Sequence, residues 1–156
     1  MKKIISIISA ILLIFVAGCS AKEQSSTYVL EKNGVKIELT YYHDGDKVLR
    51  QTANNTMNYK EMGATKDEVK KALEPLAKQY QGIDGLEEKI DFQDDKAVET
   101  LSIDYTKADK SKLNNIQGIT IDDDSKDISM KKSEEHLLSQ GFTKKLYLSD
   151  FSSRGG

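Results

Sequence analysis

Hydrophobic and polar positions divide this chain into two unlike parts. Ile4 to Ala17 is apolar except for Ser6 and Ser9, with neither alternation nor a helical stripe. Ordered patterning starts only at Tyr28. Tyr28 to Lys32 and Val35 to Tyr42 read as strands around Asn33-Gly34, a pair that accepts the positive φ angles of a tight hairpin turn. Val35, Ile37, Leu39 and Tyr41 alternate with Lys36, Glu38, Thr40 and Tyr42, so this sheet should pack on one face only. His43 to Asp46 makes the next turn. Lys47 to Tyr59 continues extended, with Leu49, Ala53, Met57 and Tyr59 on one parity.

Helical spacing begins after Thr65. Thr65 and Glu68 form a capping box, and Val69, Ala72, Leu73, Leu76, Ala77 and Tyr80 follow on one stripe. Pro75 inside that stripe predicts a kink or a break. Glu87 to Asp94 and Lys96 to Tyr105 read as a second hairpin. A short helix is expected over Asp109 to Ile116 and a short extended piece over Ile119 to Ile121. Ser129 caps a helix from Met130 to Gln140, with Met130, Leu137 and Leu138 facing inward and Gly141 at its left-handed end. The expected fold is α+β: an antiparallel sheet of about four to five strands with two main helices packed on one face.

Composition sharpens the division. The whole chain has 156 residues, 23 basic and 25 acidic side chains, and one cysteine. That length suits one domain. The charge balance excludes a strongly basic nucleic-acid binder, and one cysteine excludes an internal disulfide. Met1-Lys2-Lys3, the apolar run and Val16-Ala17-Gly18-Cys19 together resemble a bacterial lipoprotein signal and lipobox. The apolar run is short for a spanning helix, which needs about 20 residues. The resemblance implies cleavage before Cys19 and a diacylglyceryl group on its thiol. Two acyl chains anchor a protein stably where one does not.

The expected organisation is a signal peptide over 1–18, a lipidated Cys19 with a flexible tether over 19–27, one domain over 28–146 and a C-terminal tail over 147–156. Without its first 18 residues the chain carries 21 basic and 25 acidic side chains, so the domain is acidic.

Candidate chemistry is sparse. Asp122, Asp123, Asp124 and Asp127 could hold a hard cation, since calcium prefers carboxylate oxygens. The EF-hand pattern fails, because Asp127 stands where it needs Gly and Ser133 where it needs Glu. A solvated loop before a helix is the plainer reading. His43-Asp44-Gly45-Asp46 holds ligand-type residues but is also a good turn. His136 sits too far along the chain to complete a spaced histidine pair. No phosphate loop, nucleophile elbow or dinucleotide motif occurs, so neither catalytic, cofactor-binding nor metal-ligating residues are assigned and an enzyme is not expected. Tyr28, Tyr42 and Tyr59 could form an exposed contact patch or finish the core, whereas Tyr41, Tyr80 and Tyr105 follow the core period. Lys131, Lys132, Lys144 and Lys145 could touch anionic lipid, although short basic pairs are usually solvated surface.

Leu39-Thr40-Tyr41-Tyr42 with Gly45-Asp46-Lys47-Val48-Leu49, Lys78-Gln79-Tyr80-Gln81-Gly82-Ile83, Lys89-Ile90-Asp91-Phe92 and Ser129-Met130-Lys131-Lys132-Ser133-Glu134-Glu135 carry a further resemblance. The chain resembles the YehR-like family of small bacterial lipoproteins, a domain family of unknown function. That likeness implies an α+β lipoprotein domain, with Cys19 as its one transferable functional residue. The expected role is a lipid-anchored, extracytoplasmic, non-catalytic domain that binds a protein or envelope component. The alternatives are a small-ligand or metal-ion-binding lipoprotein and an envelope enzyme.

Overall fold

The computed structural model describes residues 23–113 and 127–146. Cys19, the lipobox, Ile119 to Ile121, the acids Asp122 to Asp124 and the tail from Tyr147 lie outside the described residues.

Among the described residues, seven strands and four helices follow one another as β1 (Gln24–Lys32), β2 (Val35–Asp44), β3 (Lys47–Asn58), α1 (Tyr59–Met62), α2 (Lys66–Tyr80), β4 (Leu86–Phe92), β5 (Lys96–Asp104), α3 (Lys110–Leu113), β6 (Ile128–Ser129), α4 (Met130–Ser139) and β7 (Thr143–Lys145). The sheet is antiparallel in every pairing, in the order β4-β5-β3-β2-β1-β7. β6 pairs with β3 at Lys47 and Val48, beyond the stretch of β3 that β5 occupies. Seven strands exceed the four to five expected. The surplus is β6 and β7, two and three residues long, too short for alternation to show.

The first strand also starts earlier than its pattern. Gln24 to Thr27 pair with His43 to Thr40, so part of the expected tether belongs to the sheet. Gln24 and Ser25 are exposed at the sheet's end, whereas Thr27 is buried and its hydroxyl lies 2.9 Å from that of Thr40.

The Asn33-Gly34 turn has both residues at positive φ, 53° and 78°. Gly34 is required twice over. A Cβ there would stand 2.6 Å from Glu61 Cβ and 2.8 Å from the Met62 nitrogen, because α1 folds back against the turn.

The register sets two faces. One row across the sheet reads Tyr28, Leu39, Ala53, Leu101, Glu88, and the next reads Leu30, Ile37, Asn55, Glu99, Ile90. The reverse face reads Thr27, Thr40, Thr52, Ser102, Glu87, all polar. Val69 of α2 clusters with Met57, Tyr59 and Ala97. Met130 and Leu137 of α4 cluster with Tyr28, Tyr41, Val48 and Ile103. Both clusters draw on the first face, with Leu86, Tyr105, Leu113 and Phe142 filling the second of them.

A bulge explains one misplaced expectation. The register slips between Tyr42 and His43, so His43 faces Val48 rather than Leu49. Val48 is therefore the buried residue, at 2 % exposure, while Leu49 is half-buried.

α2 carries the expected capping box, with Thr65 accepting from the Glu68 amide and Glu68 accepting from the Thr65 amide. It runs unbroken through Pro75. Lys71 and Pro75 are both exposed, so the carbonyl that proline leaves unbonded lies on the wet side. Ala72 is exposed rather than inward. α4 begins at the predicted Ser129 cap and ends before Gly141 at φ 92°. Leu138, expected inward, is 49 % exposed: Leu137 takes the core-facing position, and a neighbour about 100° round the helix turns away. The helix expected over Asp109 to Ile116 is described only as Lys110–Leu113, and residues 114–116 lie outside the described part.

Candidate functional site

The helix-bearing face carries a groove of about 450 Å³ between the C-terminal end of α2, the inner side of α4 and the middle of the sheet. Its size falls in the range of small-molecule sites. Two halves differ in chemistry. Leu30, Ile37 and Leu39 from β1 and β2 meet Leu137 and Phe142 to form an apolar wall. Gln51, Asn55, Glu99, Tyr80 and Tyr105 form the opposite, polar wall.

The register produces this split. Asn55 and Glu99 are direct cross-strand neighbours, and Asn55 Nδ2 donates to Glu99 Oε2 at 2.7 Å. Glu88 lies one residue pair further along on the same face, diagonal to Glu99. It is half-buried, and its Oε1 is enclosed without a donor. Burial first, then a hydrogen bond with Glu99 and the Glu99 charge, pushes Glu88 from 4.5 up to about 7. A bond between two carboxyls requires one of them to hold a proton. Asn55 Oδ1 is likewise enclosed without a donor. The Tyr80 hydroxyl from α2 is pushed upward by burial and then by Glu99 and Glu88. Tyr105 donates to Gln51 Oε1 at 2.7 Å, fixing both side chains at the groove's edge.

On α4, Gln140 Nε2 lies 2.9 Å from His136 Nε2, and both residues line the groove. His136 is exposed and stands at the groove's rim. The polar wall was missed because Asn55 and Glu99 interrupt an apolar row that only the strand register assembles.

The other candidates resolve differently. His43 is buried at 8 % exposure; its Nδ1 lies 2.8 Å from the Gly45 carbonyl and its Nε2 3.3 Å from Ser26 Oγ. Asp46 accepts from the Lys131 amide and from Ser129 Oγ, both at 2.8 Å, which holds its carboxyl below the ordinary value. The His43 to Asp46 turn thus serves as a second cap for α4. Among the described residues, no three His, Cys, Asp or Glu side chains converge as a metal site. Asp127, the one described member of the acidic group, pairs with Lys47 at 2.9 Å.

Tyr28 and Tyr59 join the core at 0 % and 5 % exposure, so the three-tyrosine patch does not exist. Tyr28 stands edge-on to Tyr41, with ring centroids 6.1 Å apart. Tyr42 stays half-buried under the Arg50 guanidinium, 4.3 Å from its ring centre. Lys144 pairs with Glu134 and Lys145 with Glu38, at 3.2 and 3.3 Å. No described helix is long and apolar enough to cross a membrane.

Residues 24–143 match a family described as a protein of unknown function, DUF1307. The chain belongs to this family. It is 47 % identical over 134 residues to the uncharacterized lipoprotein Lmo0207 of Listeria monocytogenes, covering 85 % of this chain and 88 % of that one. It is 38 % identical over 144 residues to the uncharacterized lipoprotein YehR of Escherichia coli, covering 90 % and 94 %. The NMR structure of the E. coli YehR protein superposes with a TM-score of 0.68 at 35 % identity, covering 81 % of this chain and 93 % of that one. An NMR structure of a Streptococcus pneumoniae protein shares the fold with a TM-score of 0.60 at 16 % identity, over 93 % and 98 % of the two chains. The YehR-like resemblance is thereby established, and both of these relatives from Listeria and Escherichia coli are named as lipoproteins.

Proposed function

We propose that this is a lipid-anchored, extracytoplasmic, non-catalytic binding domain, held to the membrane by acylated Cys19 and binding its ligand in the groove between α2 and α4. The observation that carries the reading is the groove itself, half apolar and half polar on the otherwise covered face. The relatives' lipoprotein names and the lipobox-like series support the anchor. The reverse face carries a second hollow of about 540 Å³, lined by Thr40, Thr52, Thr100 and Ser102 together with Glu38 and Glu88.

Two measurements test this. A fragment mixture titrated into isotope-labelled protein should move the amides of Leu39, Asn55, Leu101 and Gln140 and leave those of Thr40, Thr52 and Thr100 in place. Shifts confined to the threonine face would overturn the groove reading. Cys19→Ala should abolish the mature, membrane-associated species; if it still fractionates there at mature length, the anchor is wrong.

A second reading, a protein partner, draws on Leu138 and Leu146, which are 49 % and 69 % exposed. Crosslinking from those two positions in intact cells would separate it from the first.

A further inference from the structure

We infer that the hollow on the reverse face of the sheet is a glycan site, taking an uncharged oligosaccharide across β2, β3, β5 and β4. It lies on the side of the sheet away from the groove and does not rest on the groove reading. Three features of that face converge on a sugar.

The first is the lining. Strand register sets Thr40, Thr52, Ser102 and Glu87 in one row. It sets Glu38, Asn54, Thr100 and Lys89 in the next, and both rows line the hollow of about 540 Å³. Each threonine carries a methyl beside its hydroxyl, so the floor alternates between apolar and hydrogen-bonding points at short range. A sugar ring presents the same alternation, C–H beside O–H. The second is the bonding capacity left over. Thr40 is held by the buried Thr27 hydroxyl, 2.9 Å away, and Thr100 donates to the Lys89 carbonyl at 3.4 Å. Among the described residues, the side chains of Thr52, Ser102, Asn54 and Glu87 bond no protein group. The hydroxyls and the amide both donate and accept, while the carboxylate only accepts. A ligand that uses them all must donate and accept at several points, as sugar hydroxyls do. The third is charge and length. Glu87 and Glu88 outnumber Lys89 on the lining, and Glu38 is already paired with Lys145, so the hollow disfavours a phosphate or an anionic polymer. No aromatic ring lines it, so a nucleobase has nothing to stack on. Three strand spacings separate β2 from β4, about 14 Å in all, which is more than one sugar ring covers.

The experiment uses the full-length protein in lipid nanodiscs, with the methyl groups of threonine, leucine and isoleucine labelled for NMR. The two faces then report separately, since threonine methyls line the hollow and the leucine and isoleucine methyls line the groove. The probes are chitotriose and cellotriose, with glycerol at matched hydroxyl concentration as the control. A trisaccharide at millimolar concentration should shift the methyls of Thr40, Thr52 and Thr100 and leave those of Ile37, Leu39 and Leu137 in place. Thr52→Val removes one hydroxyl, keeps the shape and suits a strand, so it should weaken binding about fivefold. Ser102→Ala should weaken it by a similar factor and guards against a folding defect in the first variant. An unchanged melting temperature in both would separate a lost contact from a lost fold.

Equal shifts from glycerol would overturn the glycan site and reduce the face to solvated surface. Failure of both trisaccharides to move a threonine methyl would overturn it as well. Shifts in the leucine and isoleucine methyls alone would put the sugar in the groove and leave the hollow without a role. Full affinity in both variants would remove the contacts on which the inference stands. The fragment mixture that tests the groove holds no saccharide, so its result bears on the groove alone and either reading can fail without the other.

Discussion

The two helices that flank the groove are held in opposite ways. α4 is anchored from a distance. Asp46, 83 residues before Ser129 in sequence, accepts from the Ser129 hydroxyl and the Lys131 amide, and its own carbonyl accepts from the Met130 amide at 2.7 Å. Its far end is closed by the Phe142 amide on the Leu137 carbonyl. α2 is longer, 15 residues against 10, yet its cap is made entirely within Thr65 to Glu68, and Val69 is its one buried residue. Length therefore does not measure how firmly a helix is fixed. Tertiary bonds and buried area do, because most helix stability in proteins comes from packing. The groove has one wall tied to the rest of the fold by long-range hydrogen bonds and one wall held by a local cap and side-chain packing.

The largest test of that asymmetry is in the core. Leu137→Ala empties a position packed with Tyr28, Tyr41 and Phe142 and should cost about 2–5 kcal/mol in urea unfolding. Leu73→Ala in α2, half-buried beside Val69, should cost less than half as much. Equal losses would mean that α2 is packed as firmly as α4.

Caps give the next largest contrast. Thr65→Ala removes a local cap and should cost about 1 kcal/mol. In native-state hydrogen exchange its effect should stay within the first turn of α2. Asp46→Ala removes a bond between distant parts of the chain. It should speed exchange at Met130, Lys131 and Lys132 and also at the turn of β2 and β3. Exchange that stays local in both variants would remove the distinction between the two anchors.

The same division between local and long-range order governs what the sequence reveals. The Asn33-Gly34 turn, the Thr65 capping box, the Ser129 cap and Gly141 are all visible as short strings, since each acts on neighbours within a few residues. The one-sided sheet is visible in the alternation from Val35 to Tyr42. The bulge at Tyr42 and His43 is not, because it is a property of the β2 and β3 pairing, and it moves burial from Leu49 to Val48. β6 and β7 are too short to show a period. Asp46 reads as a turn residue, and its second role depends on a helix that arrives far later. The candidate site was the least legible part. Asn55 and Glu99 look like polar interruptions on two strands until the register sets them side by side.

The polar strip beside α2 gives the last and smallest test, a pH dependence. Glu88 ionises near 4.5 in the unfolded chain and near 7 in the folded one. Between those values the folded state binds more protons, so this group makes stability fall as pH rises from about 4.5 to about 7, and the loss is then complete. The groups facing it are the Glu99 carboxyl on β5 and the Tyr80 hydroxyl on α2, and neither supplies positive charge to offset it. Asp46, Glu68, Asp104 and Asp109 have the opposite sign. Their carboxyls are lowered by hydrogen bonds to nearby backbone and side-chain donors, so they support stability above their ordinary values and lose it at lower pH. Their transitions lie below the Glu88 window. Glu88→Gln should therefore flatten the fall in melting temperature between pH 4.5 and 7 and leave the acid limb unchanged. A parallel slope in native and variant proteins would show that the carboxyl pair is not coupled in the folded state.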